Sequence, residues 1–500
     1  MNVKFFLILF PLIPLILIAI SLSAKYLFKR DISSVMILVN AVLQLMTGLY
    51  LVTYFRGYDG LYSVSLSEWK HAIEFSFDQY RVFFLIAFLI PSFFTIFHYR
   101  KFTDFNIRSI FLFYMAGCSG IIVTGDIFNF YIFYEVMIMA AYVLISVSKK
   151  YYASIKYMIF GAASSAIFLA GIILLYASGS YFSYSFLFQL GEYNPNNIHF
   201  VFLLFSIAFF IKAAFFPVSG WVATCHSATN SVVSAFLSSF TIFSGIFGLL
   251  YFVILPAQSL GYDNFLTFIK ILSILTMLIP ALILFFEPDF KRCIAGSTVF
   301  TIGFIGLLLA SGAYYLALFY LIVHAVYKSY MFLVYDDLLI NKFTVYGNYR
   351  TILLIFVSII FTVGFFPSIP YFIKYNFMVQ SNFYKLITYM AMALMLGSFL
   401  KFRYMATTKI KINRLFYIFF PLLIILLYLI NPFPYINAGY FLGIDLLMIL
   451  LMVLIAKTVY NRLKFLSCLD TKFLYINMNY ELLYIVVLIV TQILVLGLNN

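Results

Sequence analysis

Glu135 stands near the middle of an apolar stretch, Val123 to Ser146, with a second acid, Asp126, at its start. Other apolar stretches carry bases. Lys212 precedes Phe-Phe-Pro217, His226 lies in WVATCHSATN, His324 and Lys328 lie in ALFYLIVHAVYKSY, and Lys374 follows Pro370. A charge at bilayer depth costs about 3 kcal/mol on insertion scales, so it usually has a partner and a task. Carboxylates, amines and imidazoles held at that depth take up and release protons. No nucleotide loop, nucleophile constellation or metal-ligand spacing accompanies them, which argues against a stand-alone enzyme. The chemistry within reach is proton transfer.

The individual residues carry different weight. A lysine at a helix end commonly snorkels to the headgroups. Another apolar stretch follows Lys212 before any charge, which places this lysine at depth. Facing Glu135 across a helix pair, it would hold the carboxylate ionised, and its movement or deprotonation would let Glu135 accept a proton. His324 and Lys328 are four residues apart and share one helix face. A lone intramembrane histidine is more often a hydrogen-bonded core residue than a relay, although imidazole titrates near neutrality. Lys156, in SIKYMIFGAASS, lies near the expected cytoplasmic edge, where snorkelling is the simpler role; for Lys374 snorkelling and function stand level. Asp445 falls in the middle of a late span, with pairing to a basic neighbour as its simplest role.

These residues require membrane helices to hold them. A 500-residue chain with 65% hydrophobic and 10% charged residues and a mean hydropathy of +1.06 is no soluble globular protein. Apolar runs predict spans at about 4–24, 34–55, 81–98, 108–124, 127–147, 155–176, 199–215, 231–254, 264–286, 294–311, 314–335, 351–380, 385–400, 415–431, 438–456 and 480–498. The first reads as an uncleaved span rather than a signal segment. Span seven breaks at Pro217 and span twelve at Pro367 and Pro370, each beside one lysine. Paired Pro-interrupted spans of this kind point to inverted repeats around a midplane site. The charged stretch 56–80 reads as a short external hairpin. The formal net charge of +14 is concentrated in loops after odd-numbered spans, as the positive-inside rule requires, and it places both termini outside. That distribution argues against a nucleic-acid partner. Cys118, Cys225, Cys293 and Cys468 lack CxxC or His spacing, so no redox or metal centre is expected.

The segment TGD-x-FN-x-Y-x-F-[FY]-E-V-M around Glu135 resembles the fifth helix of the proton-pumping antiporter family. That family comprises the D-type and A-type subunits of Mrp Na+/H+ antiporters, membrane-hydrogenase relatives and the antiporter-like subunits of respiratory complex I; the TGD-x-FN opening is most similar to the Mrp D type. Gly364, Pro367 and Lys374 match G-x-x-P-x-x-G-F-x-x-K, with Pro370 and Tyr371 as departures. The His324–Lys328 segment resembles H-A-x-x-K-x-x-x-F. His226 resembles the His-Ser after the seventh-helix break, and Lys156 the sixth-helix lysine. The run 289–306 resembles D-x-KR-x-x-A-x-ST, read here as a packing and loop signature. The resemblance covers roughly residues 77 to 410.

The resemblance implies an all-α polytopic membrane protein of about 14–16 transmembrane helices, with two inverted five-helix repeats and broken helices seven and twelve. It divides the chain into N-terminal helices (1–107), a first repeat (108–254), a second repeat (255–410) and C-terminal helices (411–500). It implies a proton-translocating subunit of a multisubunit cation/proton antiporter, with a midplane line through Glu135, Lys212, His226, His324, Lys328 and Lys374, and Lys156 as an additional position. The implied partners are other membrane subunits, the lipid bilayer, H+ and either Na+ or K+, with no cofactor. The implied location is a bacterial plasma membrane, with the mitochondrial inner membrane as the alternative. Two other readings stay open: a proton-pumping subunit of an NADH-quinone oxidoreductase or membrane hydrogenase, and a structural subunit that has lost transport. The last draws on departures from the family pattern. Phe243 stands where the family places a helix-eight lysine, Ser219 replaces a histidine, Ala223 and Asn230 replace prolines, and Gly296 replaces a tyrosine. His226 or water would then have to serve as the link.

Overall fold

The computed structural model describes residues 3–58, 60–66, 73–102, 104–177, 195–287, 289–340, 360–364, 369–378 and 382–400. Within lipid every backbone polar group must be satisfied inside its own segment, so apolar runs of this length fold as helices. They do so as α1 (Val3–Phe28), α2 (Ser33–Phe55), α3 (Gln79–His98), α4 (Phe105–Val123), α5 (Ile127–Ser146) and α6 (Tyr151–Ala177). The broken seventh span becomes α7 (Pro195–Lys212) and a short α8 (Gly220–Ala228). Then come α9 (Ser231–Ser259), α10 (Asp263–Phe286), α11 (Phe290–Ala310) and α12 (Tyr314–Ile340). A π-helical turn at Ile360–Gly364, α13 (Ile369–Met378) and α14 (Asn382–Leu400) complete the described elements. Among the described residues ten helices are long and apolar enough to cross a membrane. The chain is an all-α, multi-pass membrane protein, as its composition requires. Pro367, Asp445 and the spans expected after residue 400 lie outside the described residues.

Helix starts are set by side chains that accept the first free N–H groups. Asp78 caps α3 through the Arg81 N–H at 2.9 Å, and Asp126 caps α5 through the Asn129 N–H at 2.6 Å. Asn230 caps α9 through Val233, and Asp289 caps α11 through Lys291 and Arg292. The 289–306 run is indeed a loop and packing signature: Asp289 starts the helix, and its small residues admit α10. A Cβ at Gly303 would lie 2.6 Å from the Met277 nitrogen, so the helices pack at backbone distance there.

The interior is built from α9, α11 and α12, which are buried almost all round, while α1, α2, α6 and α10 keep broad outward apolar faces. A helix that is apolar on every side belongs at the centre. α9 packs on α7 and α12, α11 lies between α10 and α12, and α3 packs on α12. Two π-helical turns interrupt α9, at Leu237–Thr241 and Leu250–Ile254. Such turns mark places where a side chain must be re-aimed.

The charged stretch after α2 does form a hairpin. β1 (Tyr62–Ser65) pairs antiparallel with β2 (Glu74–Phe77), in register Tyr62 with Phe77. It is clasped to the start of α5. Gly125 donates to the Glu74 carbonyl at 2.6 Å, and the Glu74 N–H donates to Asp126 at 3.1 Å. Arg81, fully buried, donates to the carbonyls of Ser76, Ile122 and Thr124 and so ties hairpin, α3 and α4 together.

Candidate proton-transfer site

The seventh span stops because the chain turns left-handed at Ala214, where φ is 59°, ahead of the cis Phe216–Pro217 bond. The turn leaves Lys212 as the last residue of α7, 2% exposed. Gly245 of α9 lies against this break. A Cβ there would stand 2.5 Å from the Ala213 nitrogen, so only glycine lets α9 approach so closely. The Lys212 ammonium donates to the Tyr157 hydroxyl at 3.0 Å and lies 5.0 Å and 5.3 Å from the ring centres of Tyr157 and Tyr134. Glu135 is half-buried on α5, within electrostatic range of Lys212. Contact between the two is not direct: Lys212 is bonded to Tyr157, and no ion pair within 4.0 Å joins it to Glu135. Tyr134, one position before Glu135, bonds Ser164 at 2.6 Å, and Ser164 donates to the Ala208 carbonyl of α7. Those bonds lock α5, α6 and α7 around the pair. Lys156, on α6, is 2% exposed, so it is buried by protein rather than reaching outward.

A second cluster occupies the centre of the molecule. His324 and Lys328 share one face of α12, as their spacing requires, and both are fully buried. Lys328 donates to the Ile294 carbonyl and to the Ser297 hydroxyl of α11. His324 contacts Ser238 of α9 at 3.4 Å and Tyr327 at 3.1 Å. Ser238 in turn bonds Thr298 at 3.0 Å, and Tyr327 bonds Thr301 at 3.1 Å. Phe243 sets its ring against His324, with centroids 5.1 Å apart. His226 lies near this cluster, within electrostatic range of Lys328, stacked on Phe332 at 4.8 Å. Both its ring nitrogens are buried with no hydrogen-bond partner among the described residues.

The third lysine sits at the second break. Gly364 also takes a left-handed backbone, φ 82°, at the end of a π-helical turn. The carbonyls of that turn receive Lys374, at 2.8 Å for Val363 and 3.5 Å for Thr362. The rings of Phe300, Phe304 and Tyr320 surround the ammonium, Phe300 closest at 4.8 Å. Lys374 is fully buried and does not snorkel.

Sequence reasoning picked out the charged residues but passed over the hydroxyls that hold them: Tyr157, Tyr114, Ser238, Thr241, Ser297 and Thr298. Their signal was present. SSFT and STVFT place polar residues within otherwise apolar helices, at positions where only a partner makes burial tolerable.

Buried bases set at helix breaks define a polytopic membrane protein that holds ionisable groups in its interior. Residues 124–400 match the NADH:quinone oxidoreductase/Mrp antiporter transmembrane family, and the chain belongs to that family. It is 26% identical over 234 residues to the D-type subunit of the Na(+)/H(+) antiporter of Alkalihalophilus pseudofirmus, covering 45% of this chain and 47% of that protein. It is 26% identical over 368 residues to the M-type subunit of the NADH-quinone oxidoreductase of Rickettsia bellii, covering 68% and 73%. The chain thus spans about half the length of several curated relatives that it matches. Its fold is shared with a chain of an archaeal respiratory membrane complex, the membrane-bound sulfane sulfur reductase. That likeness has a TM-score of 0.76 at 20% identity, covering 86% of this chain and 94% of that one.

Proposed function

We propose that this chain is a proton-translocating membrane subunit of a multisubunit cation/proton antiporter, similar to the Mrp D type, seated in a bacterial plasma membrane. Protons travel from Glu135 and Lys212 to Lys328 and leave by Lys374, with His324 and His226 beside the path. The observation that carries this reading is the state of the three lysines. Each is buried at a break or on an interior helix, and among the described residues Lys212, Lys328 and Lys374 all bond directly to hydroxyls or carbonyls and not to a carboxylate. An ammonium buried against dipoles alone is costly. A proton that can step off to a neighbour relieves that cost, which suits a carrier and not a structural ion pair. Residues 108–254 and 255–410 would form the two half-channels, facing opposite sides.

The match to the M-type component of an NADH-quinone oxidoreductase favours a second reading with the same proton chemistry but redox-driven partners. Purification from native membranes in mild detergent, with mass spectrometry of the companions, separates the two. Small membrane subunits of antiporter type together with Na+- or K+-driven proton movement in vesicles support the first. Flavin or quinone subunits support the second. A companion-free chain without proton movement overturns both.

A further inference from the structure

Lys212 and Lys328 belong to separate clusters, and Phe243, whose ring lies 5.1 Å from that of His324, neither donates nor accepts a proton. A row of buried hydroxyls runs from one cluster toward the other. Lys212 donates to Tyr157. Tyr157 lies within electrostatic range of Tyr114, and the Tyr114 hydroxyl bonds Thr241 across the interface of α4 and α9. Thr241 and Ser238 share one π-helical turn of α9. Ser238 bonds Thr298, and the preceding residue, Ser297, accepts a hydrogen bond from the Lys328 ammonium. All six of these hydroxyl side chains are at most 2% exposed.

We infer that Tyr157, Tyr114, Thr241, Ser238, Thr298 and Ser297 form a hydroxyl relay that carries protons between the two lysine sites around Phe243. The inference rests on the proposed transport function and deepens it. A hydroxyl is at once a donor and an acceptor, so each can receive a proton on one side while releasing its own on the other. The N–H bond that breaks is on Lys212, leaving a neutral amine. The N–H bond that forms is on Lys328, giving an ammonium. In between, every hydroxyl ends with one proton, as it began, and only the direction of its hydrogen bond is reversed. Tyr157 to Tyr114, Thr241 to Ser238 and Thr298 to Ser297 are the steps without a direct bond, and the relay requires one bridging water at each. The π-helical turn accounts for the arrangement. It turns Thr241 toward α4 and Ser238 toward α11 from within a single turn.

The alternative is that these hydroxyls only satisfy one another in a dry core. The test is proton uptake by proteoliposomes holding the whole native complex, with an internal pH dye and a K+ diffusion potential as the driving force. Tyr114→Phe and Thr241→Val each remove one hydroxyl at nearly constant shape. Each should lower uptake by about tenfold or more with unchanged subunit composition, and the double variant should be no worse than either alone, because residues on one path act as a unit. Thr241→Ser, which keeps the hydroxyl, should keep uptake. Phe243→Lys combined with Thr241→Val should restore it by supplying a proton carrier in the ring's place. Full uptake in both Tyr114→Phe and Thr241→Val, alongside loss in Glu135→Gln, overturns the relay and leaves transport standing. A wild-type complex that moves no protons overturns both. Should Thr241→Val fail to assemble, Tyr114→Phe carries the same test from a different helix.

Discussion

Ala214 and Gly364 occupy the same place in two Phe-Phe-Pro segments, and both take left-handed backbone angles, φ 59° and 82°. The chain thus enters each Phe-Phe-Pro segment through a left-handed residue, with a buried lysine nearby. Only one of them uses glycine. An alanine in this conformation bears about 1 kcal/mol of strain that glycine does not. Ala214→Gly should therefore raise stability slightly, and Gly364→Ala should lower it by a similar amount or more, because the added Cβ would lie 3.1 Å from the Lys374 ammonium. Thermal unfolding of the purified complex in detergent, followed by loss of this subunit's fold, distinguishes the two signs.

Gly245→Ala should be worse than either. The new methyl would stand 2.5 Å from the Ala213 nitrogen and 2.9 Å from the Lys212 carbonyl carbon, both backbone atoms with no room to yield. Forcing α9 away from the break should cost about 1–3 kcal/mol. It should also misplace Lys212, so proton uptake should fall even at temperatures where the subunit stays folded. Unimpaired uptake would mean that the break can slide without moving the lysine.

Arg81 is the clasp of the hairpin. Its guanidinium holds the Ser76, Ile122 and Thr124 carbonyls, and Tyr251 braces the neighbouring Asp78 at 2.6 and 2.8 Å. Arg81→Met keeps the stem and removes the donors, at about 1–3 kcal/mol for each buried carbonyl left unsatisfied, Thr124 keeping the Ser76 hydroxyl at 3.4 Å. Limited proteolysis should then cut between the two strands much faster than in the parent chain, well before the helices unfold.

Asp126, in the turn ahead of α5, gives a pH signature. Burial pushes its carboxyl from an ordinary 3.8 up to about 6, against the hydrogen bonds from the Asn129 and Glu74 N–H groups and with the Glu74 charge adding to the rise. Between those values the folded protein keeps a proton that the unfolded chain has released. Stability from this group is therefore fully present below pH 4 and is lost as the pH rises through about 6, by about 3 kcal/mol at most. Asp126→Asn keeps an acceptor for the Asn129 N–H and has no proton to lose. Its unfolding temperature should be flatter than the parent's between pH 4 and 7.

Much of this was readable in the residues. The Glu135 stretch, the broken seventh span, the shared face of His324 and Lys328, and the Asp289 helix start all follow from periodicity, proline and caps. Helix ends were less legible: α6 begins at Tyr151 and α9 runs on to Ser259 because tertiary packing, not composition, extends them. The direct Glu135–Lys212 contact expected from charge alone gives way to a Tyr157 hydroxyl, which no spacing rule foretells. Lys374 looked as ready to snorkel as to serve, and only the carbonyls of the Ile360–Gly364 turn place it inside. Phe243 read as a lost link; its ring packs against His324.

The central claim is that Glu135 carries the proton into this chain. Its most direct test is proton uptake by vesicles holding the complete complex with Glu135→Gln, which removes the ionisable group at constant size, compared with the parent complex at equal subunit content. The account predicts that uptake falls to background while assembly is unchanged. Uptake at the parent rate would contradict it.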